Sequence, residues 1–142
     1  MPGKLSVTIN KNINAPVSKV WDALVNPEII RQYLHGTEAL SEWKKGSQLL
    51  FKGEWKGKSY MDKGIILDIE KEKLLRYTWL SSFSGLEDKP ENYTTIAYHL
   101  SDEGNFTHLT LVQDNIKSAE GVKASEDNWE AVLTQLKNLL EK

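Results

Sequence analysis

The sequence predicts an α+β fold: a curved antiparallel sheet of about six to seven strands, two short helices after strand one, and a long C-terminal helix packed on the sheet. Three observations predict it. Residues Leu5–Ile13 alternate apolar with polar. From Gly36 onward, turn signals recur every ten to fifteen residues. The last part of the chain then carries one apolar stripe at helical spacing.

Taken in order, Leu5, Val7, Ile9 and Ile13 give the first strand a buried face, with Ser6, Thr8 and Asn10 opposite. Asn14 or Ser18 is expected to cap the next helix, and Pro16 suits its first turn. Val17, Val20, Trp21 and Leu24 fall at i, i+3, i+4 and i+7, which is one helical face. Asn26-Pro27 breaks that helix and opens a second, whose buried side is Ile29, Ile30, Tyr33 and Leu34. Six strand candidates follow: Thr37–Trp43, Gln48–Trp55, Tyr60–Ile69, Leu74–Leu80, Tyr93–Ser101 and Phe106–Asp114. The short connections between them imply antiparallel neighbours. Ser125 is the expected N-cap of the last helix, with Glu126 and Asp127 placing acid in its first turn. Trp129, Val132, Leu133, Leu136, Leu139 and Leu140 form its stripe, on a rod of roughly 25 Å. The sheet is the surface large enough to cover it.

The 142 residues suit one domain, 1–142, with no internal boundary or repeat. Net charge is −2, so no basic field invites nucleic acid. Cysteine is absent, which removes disulfides, thiolate zinc sites and cysteine nucleophiles together. No apolar run approaches the ~20 residues needed to cross a bilayer, and the N-terminus lacks the core of a signal peptide. The expected location is cytoplasmic, without nucleic acid or membrane as partner.

Five segments, in order, carry a resemblance: NAPVSKVWDAL, PEIIRQYL, KGKSYMDKGIILDIEKEKLLRYTW, FTHLTLVQ and NWEAVLTQLKNLL. Together they resemble the bacterial relatives of the heat-shock protein 90 ATPase activator, in particular its C-terminal domain. That family lies within the START-like (SRPBCC) helix-grip superfamily, with the polyketide cyclases and the allergen-type ligand carriers. The resemblance implies a cavity between sheet and long helix that takes small hydrophobic or aromatic molecules. It implies no shared catalytic set. The eukaryotic activator has a separate N-terminal domain that engages the chaperone, and this chain has no room for one, which weighs against a co-chaperone role.

Five Trp and five Tyr suit either a packed core or a pocket that orients a ligand. Leu75, Tyr77 and Trp79 share one strand face, and the family pattern turns it inward. Phe51 and Trp55 share a parity on a neighbouring strand, and Tyr98 sits on another beside Ile96 and Leu100. The expected ligand-binding residues are therefore Phe51, Trp55, Tyr77, Trp79, Tyr98, Leu133 and Leu136. With Asp102–Asn105 read as a four-residue turn, His99 would face His108 across two strands. They lack a third ligand and share the solvent face, so no metal is expected. His35 reads as a helix C-terminal residue. Glu54 and Asp62 are expected as surface acids paired with Lys52 or Lys63.

No nucleophile elbow, phosphate loop or Ser–His–Asp set is present. The leading expectation is a non-catalytic binder of a small hydrophobic molecule without a cofactor. The alternatives are a protein-interaction domain acting on a heat-shock protein 90 homologue, and a cyclase-like enzyme using one buried acid or His.

Overall fold

Strand β1 runs Leu5–Ile13, as its alternation requires. The computed structural model describes residues 5–34, 36–81, 87–116 and 118–141, and of Trp55 the backbone alone. After β1 come helices α1 (Val17–Val25) and α2 (Pro27–Tyr33), then β2 (Glu38–Ser41), β3 (Gln48–Trp55), β4 (Lys58–Glu70), β5 (Leu74–Trp79), β6 (Thr94–Asp102) and β7 (Thr107–Ile116). Helix α3, Ala119–Leu140, closes the order. The strands form one antiparallel sheet in the order β1-β7-β6-β5-β4-β3-β2. Its inner face carries Val7, Ile9, Leu109, Leu111, Ile96, Tyr98, Leu75, Tyr77, Ile66, Leu49 and Phe51, all buried with the helices. This is the helix-grip arrangement.

Several ends differ from the sequence reading. Neither Asn14 nor Ser18 caps α1: Pro16 takes the N-cap position without a side-chain bond, and the Asn14 amide donates instead to Glu141. Asn26 does cap α2, its Oδ1 accepting from the Glu28 amide at 3.0 Å. Strand β2 stops at Ser41 because Trp43 has φ +55°, which no strand continues. Helix α3 is 22 residues long, about 33 Å, and its cap is Ser118 rather than Ser125. The Ser118 Oγ accepts from the Gly121 amide at 3.0 Å. Glu120, not Glu126 or Asp127, is the acid of the first turn. The apolar stripe expected from the sequence begins only at Trp129, so periodicity alone misses the nearly three turns that precede it, where Val122 alone packs against the core.

Four polar ties hold α3 to the sheet and to the residue after β1. Trp129 Nε1 donates to Gln113 Oε1 at 2.9 Å, inside the core. Lys11, on the inward parity of β1, reaches Glu130 at 2.7 Å. Near the helix end, Lys137 donates to the Asn12 carbonyl and Glu141 accepts from the Asn14 amide, both at 2.8 Å. Between them Val132, Leu133 and Leu136 are fully covered.

Strand β4 changes partner midway. Residues 58–65 pair with β3 and 66–70 with β5. At the hand-over Gly64 lies so close to β5 that an added Cβ would sit 1.6 Å from the Thr78 carbonyl oxygen. Gly64→Ala is therefore expected to destabilise the fold by about 3 kcal/mol. Gly121→Ala meets its nearest atom at 3.0 Å and gains about 1 kcal/mol of helix propensity, so it should stay close to the parent protein. Chemical denaturation of both variants checks the contrast; equal losses would contradict it.

Candidate functional site

The strands bring a ring of aromatic side chains under α1 and α2. Phe51 of β3, Tyr77 of β5 and Tyr98 of β6 face inward side by side. Leu24 of α1, Ile30 and Tyr33 of α2, and Leu34, Trp43, Leu49 and Leu75 complete a wall around a cavity of about 10 Å³. That is about the space one water occupies. The interior at this point is filled by its own tyrosines.

Of the residues expected at a ligand site, Phe51, Tyr77 and Tyr98 stand on this wall. Trp79 lies further along β5, half-buried, packed on the core but off the wall. Leu133 and Leu136 are 0% exposed inside the α3 stripe and do not line the cavity. The Trp55 side chain lies outside the described residues. The space thus borders α1 and α2 rather than α3. Ile30, Tyr33 and Leu34 were legible as the buried side of the second helix; which end of the sheet that helix covers was not. Trp43 was read as the end of a strand, Thr37–Trp43, whereas the strand stops at Ser41 and Trp43 reaches the wall from the irregular segment after it.

The three tyrosine hydroxyls are internally engaged. Tyr33 donates to the Ala23 carbonyl at 2.6 Å. The Tyr77 hydroxyl is hydrogen-bonded to that of Tyr98. Phe51 and Tyr77 meet tilted, ring centres 6.0 Å apart, and Tyr98 meets Trp129 edge-on at 6.1 Å. The second contact couples the cavity wall to α3. Burial pushes all three tyrosines well above the usual phenol value, and a charge on Tyr98 would push Tyr33 and Tyr77 further. Trp43 holds φ +55° on the same wall, a backbone state that costs on the order of 1–2 kcal/mol outside glycine.

The remaining candidates separate. His99 pairs with Thr110 and His108 with Ser101, so the two imidazoles are not opposed. The connecting loop is residues 103–106, one position later than the expected turn, which moves the pairing while keeping each residue's face. His108 instead sits between Asn12 and Asn10, at 2.6 and 3.1 Å. His35 lies outside the described residues. Glu54 is exposed, while Asp62 pairs with Phe51 in register and shares its inward face, half-buried. Lys63 pairs with Asp88, so it is not the partner expected for either acid. Arg76 faces outward and holds Asp68 at 2.6 Å.

The buried tyrosines set an alkaline limit. Their folded-state values lie above the unfolded one near 10, so the unfolded chain loses protons first as pH rises. The stabilisation is complete below pH 10 and is lost above it, by about 1.4 kcal/mol per pH unit for each such tyrosine. Urea midpoints measured from pH 8 to 11.5 should be flat, then fall steeply; a flat profile throughout would contradict the burial.

Comparison with known proteins follows the geometry. A solution structure of ChR145 from Cytophaga hutchinsonii is 46% identical, with 99% of this chain and 97% of that one aligned at a TM-score of 0.86. CalU16 from Micromonospora echinospora is 25% identical over 96% of this chain and 77% of its own, at 0.74. The Aha1 dimer from Colwellia psychrerythraea shares the fold at 18% identity and a TM-score of 0.75, with 96% of each chain covered. No curated protein matches. Among the described residues no helix is long and apolar enough to cross a membrane. Residues 14–141 match the family described as activator of Hsp90 ATPase homolog 1-like protein, and the chain belongs to that family.

Proposed function

We propose that the aromatic interior beneath α1 and α2 receives a small planar, mainly apolar ligand, and that the protein binds it without chemistry. The observation that carries this reading is the aromatic ring itself, Phe51, Tyr77, Tyr98, Tyr33 and Trp43 closed around a gap about the size of one water. Affinity would come from displaced water and ring packing, with the Tyr98 and Tyr77 hydroxyls setting orientation. A cavity of about 10 Å³ admits no such molecule as it stands. Binding therefore requires the wall to move, and the half-buried Leu34 and Trp43 mark where it would open. Part of the Trp43 backbone cost would be returned on opening.

The test is an amide–proton NMR titration with a flavonoid and with a fatty acid as separate probes. The expected result is saturable shifts at Phe51, Tyr77, Tyr98 and the Trp43 indole. Tyr98→Phe, which keeps shape and removes one hydroxyl, should weaken binding about 5–10-fold with the fold retained. Shifts absent with both probes, or spread evenly over the surface, would sink the reading.

A protein-interaction role has one observation in its favour. Leu40, Met61 and Ile65 are exposed on the outer face of β2 and β4, beside the unpaired edge of β2. If that face serves a chaperone of the heat-shock protein 90 type, the pure protein changes the chaperone's ATPase rate and Met61→Glu abolishes the change. An unchanged rate dismisses the role.

A further inference from the structure

On the opposite side of the sheet from the aromatic interior lies a groove of about 670 Å³, within the roughly 300–1,000 Å³ of ligand sites. Its floor follows from strand register. Thr78 pairs with Thr95, and Thr95 with Asp114. Ser6 of β1 lies beside Asp114, where the β1–β7 register slips. Four small polar side chains thus form one row across β5, β6, β7 and β1, about 14 Å wide at ~4.8 Å per strand. Arg76 stands at one end of the row.

The wall is the single 3-10 turn Pro90–Asn92 and Tyr93, folded over the strand ends. It is pinned from β7. The register slip leaves Asn115 at φ +65°, and its side-chain amide donates to the Glu91 carbonyl at 3.1 Å and the Tyr93 carbonyl at 2.8 Å. Tyr93 is fixed again through its hydroxyl, which donates to Asp88 at 2.6 Å. The wall is therefore built independently of anything that occupies the groove.

The lining combines hydroxyls, one aromatic ring and charge with two apolar side chains, Leu5 and Pro90. Asp68 neutralises Arg76, taking both Nε and Nη2 on one oxygen. Asp114 then places an exposed carboxylate in the row. Among the described residues neither the Thr95 hydroxyl nor the Asp114 carboxylate has a hydrogen-bond or ion-pair partner. Hydroxyls in a row read vicinal hydroxyls, a ring covers an apolar sugar face, and a carboxylate selects an ammonium group.

We propose that this outer groove is a binding site for a polyhydroxylated organic cation of the aminosugar class, with Asp114 holding the ammonium group and Thr78, Thr95 and Ser6 the hydroxyls.

The probes are glucosamine, glucose and glucuronate, titrated separately into the labelled protein. Glucosamine is expected to shift the amides of Ser6, Thr78, Thr95 and Tyr93, with a Kd on the order of 1 mM. Glucose should bind more weakly and glucuronate not at all. Asp114→Asn, at an exposed position, should lose roughly 10-fold in glucosamine affinity. Glucose or glucuronate binding as well as glucosamine, or Asp114→Asn leaving the affinity unchanged, would overturn the assignment. So would shifts confined to the Trp129 and Trp43 indoles of the inner face. Because the two sites lie on opposite faces of the sheet, this test and the titration of the aromatic interior fail independently.

Discussion

The bond from Trp129 to Gln113 is the point at which two layers become one structure. Apolar burial drives α3 onto the sheet, but burial has no direction and would tolerate the helix sliding by a turn. A glutamine that is 3% exposed cannot tolerate it, because its carbonyl would lose its donor in a dry interior. The other half of that amide donates to Thr94, and Thr94 in turn to the Trp79 carbonyl. One helix side chain thereby sets the height of α3 against β7, β6 and β5 together. The ring of Tyr98 then meets Trp129 edge-on, so the position of the helix also decides the shape of the aromatic wall.

A tyrosine-filled interior differs physically from a leucine-filled one. Each phenol needs a hydrogen-bond partner when buried, and here the partners are the protein's own: the Ala23 carbonyl for Tyr33, and the Tyr77–Tyr98 pair for each other. The rings are thus held at fixed tilt by their polar ends while their faces remain apolar. A wall held in this way presents flat apolar faces at set tilts, which a wall of branched aliphatics does not. Asp62, on the same face as Phe51, is the nearest acid in register to this wall.

Much of this was legible in the sequence because periodicity survives without tertiary context. The alternation of Leu5–Ile13 and the run Gln48–Trp55 become strands with those same ends. Counting by two also showed which residues share a strand face, and the family resemblance turned the face of Tyr77 inward, where Phe51, Tyr77 and Tyr98 are buried. What failed was everything that depends on one backbone angle or one cap. Ser118, Trp43 and the loop after Asp102 each moved a boundary, because a single hydrogen bond or a positive φ there outweighs local pattern. The outer groove was invisible for a related reason. Its floor is composed of residues from four strands, and its wall depends on a slip in register that the order of side chains does not encode.

That the first strand closes on the last has a temporal meaning. Asn10 bonds Thr110 across 100 residues of chain, and among the described residues β1 has no other neighbour in the sheet. Strands β3 to β6 pair with near neighbours and can assemble as they emerge during synthesis. Strand β1 cannot: its alternating apolar face must wait, unpaired, while roughly a hundred residues are added at ~5–20 per second. For those seconds it is an open edge with nothing to bind. The polar side of that strand, Ser6, Thr8, Asn10 and Asn12, keeps half of its surface soluble through the interval.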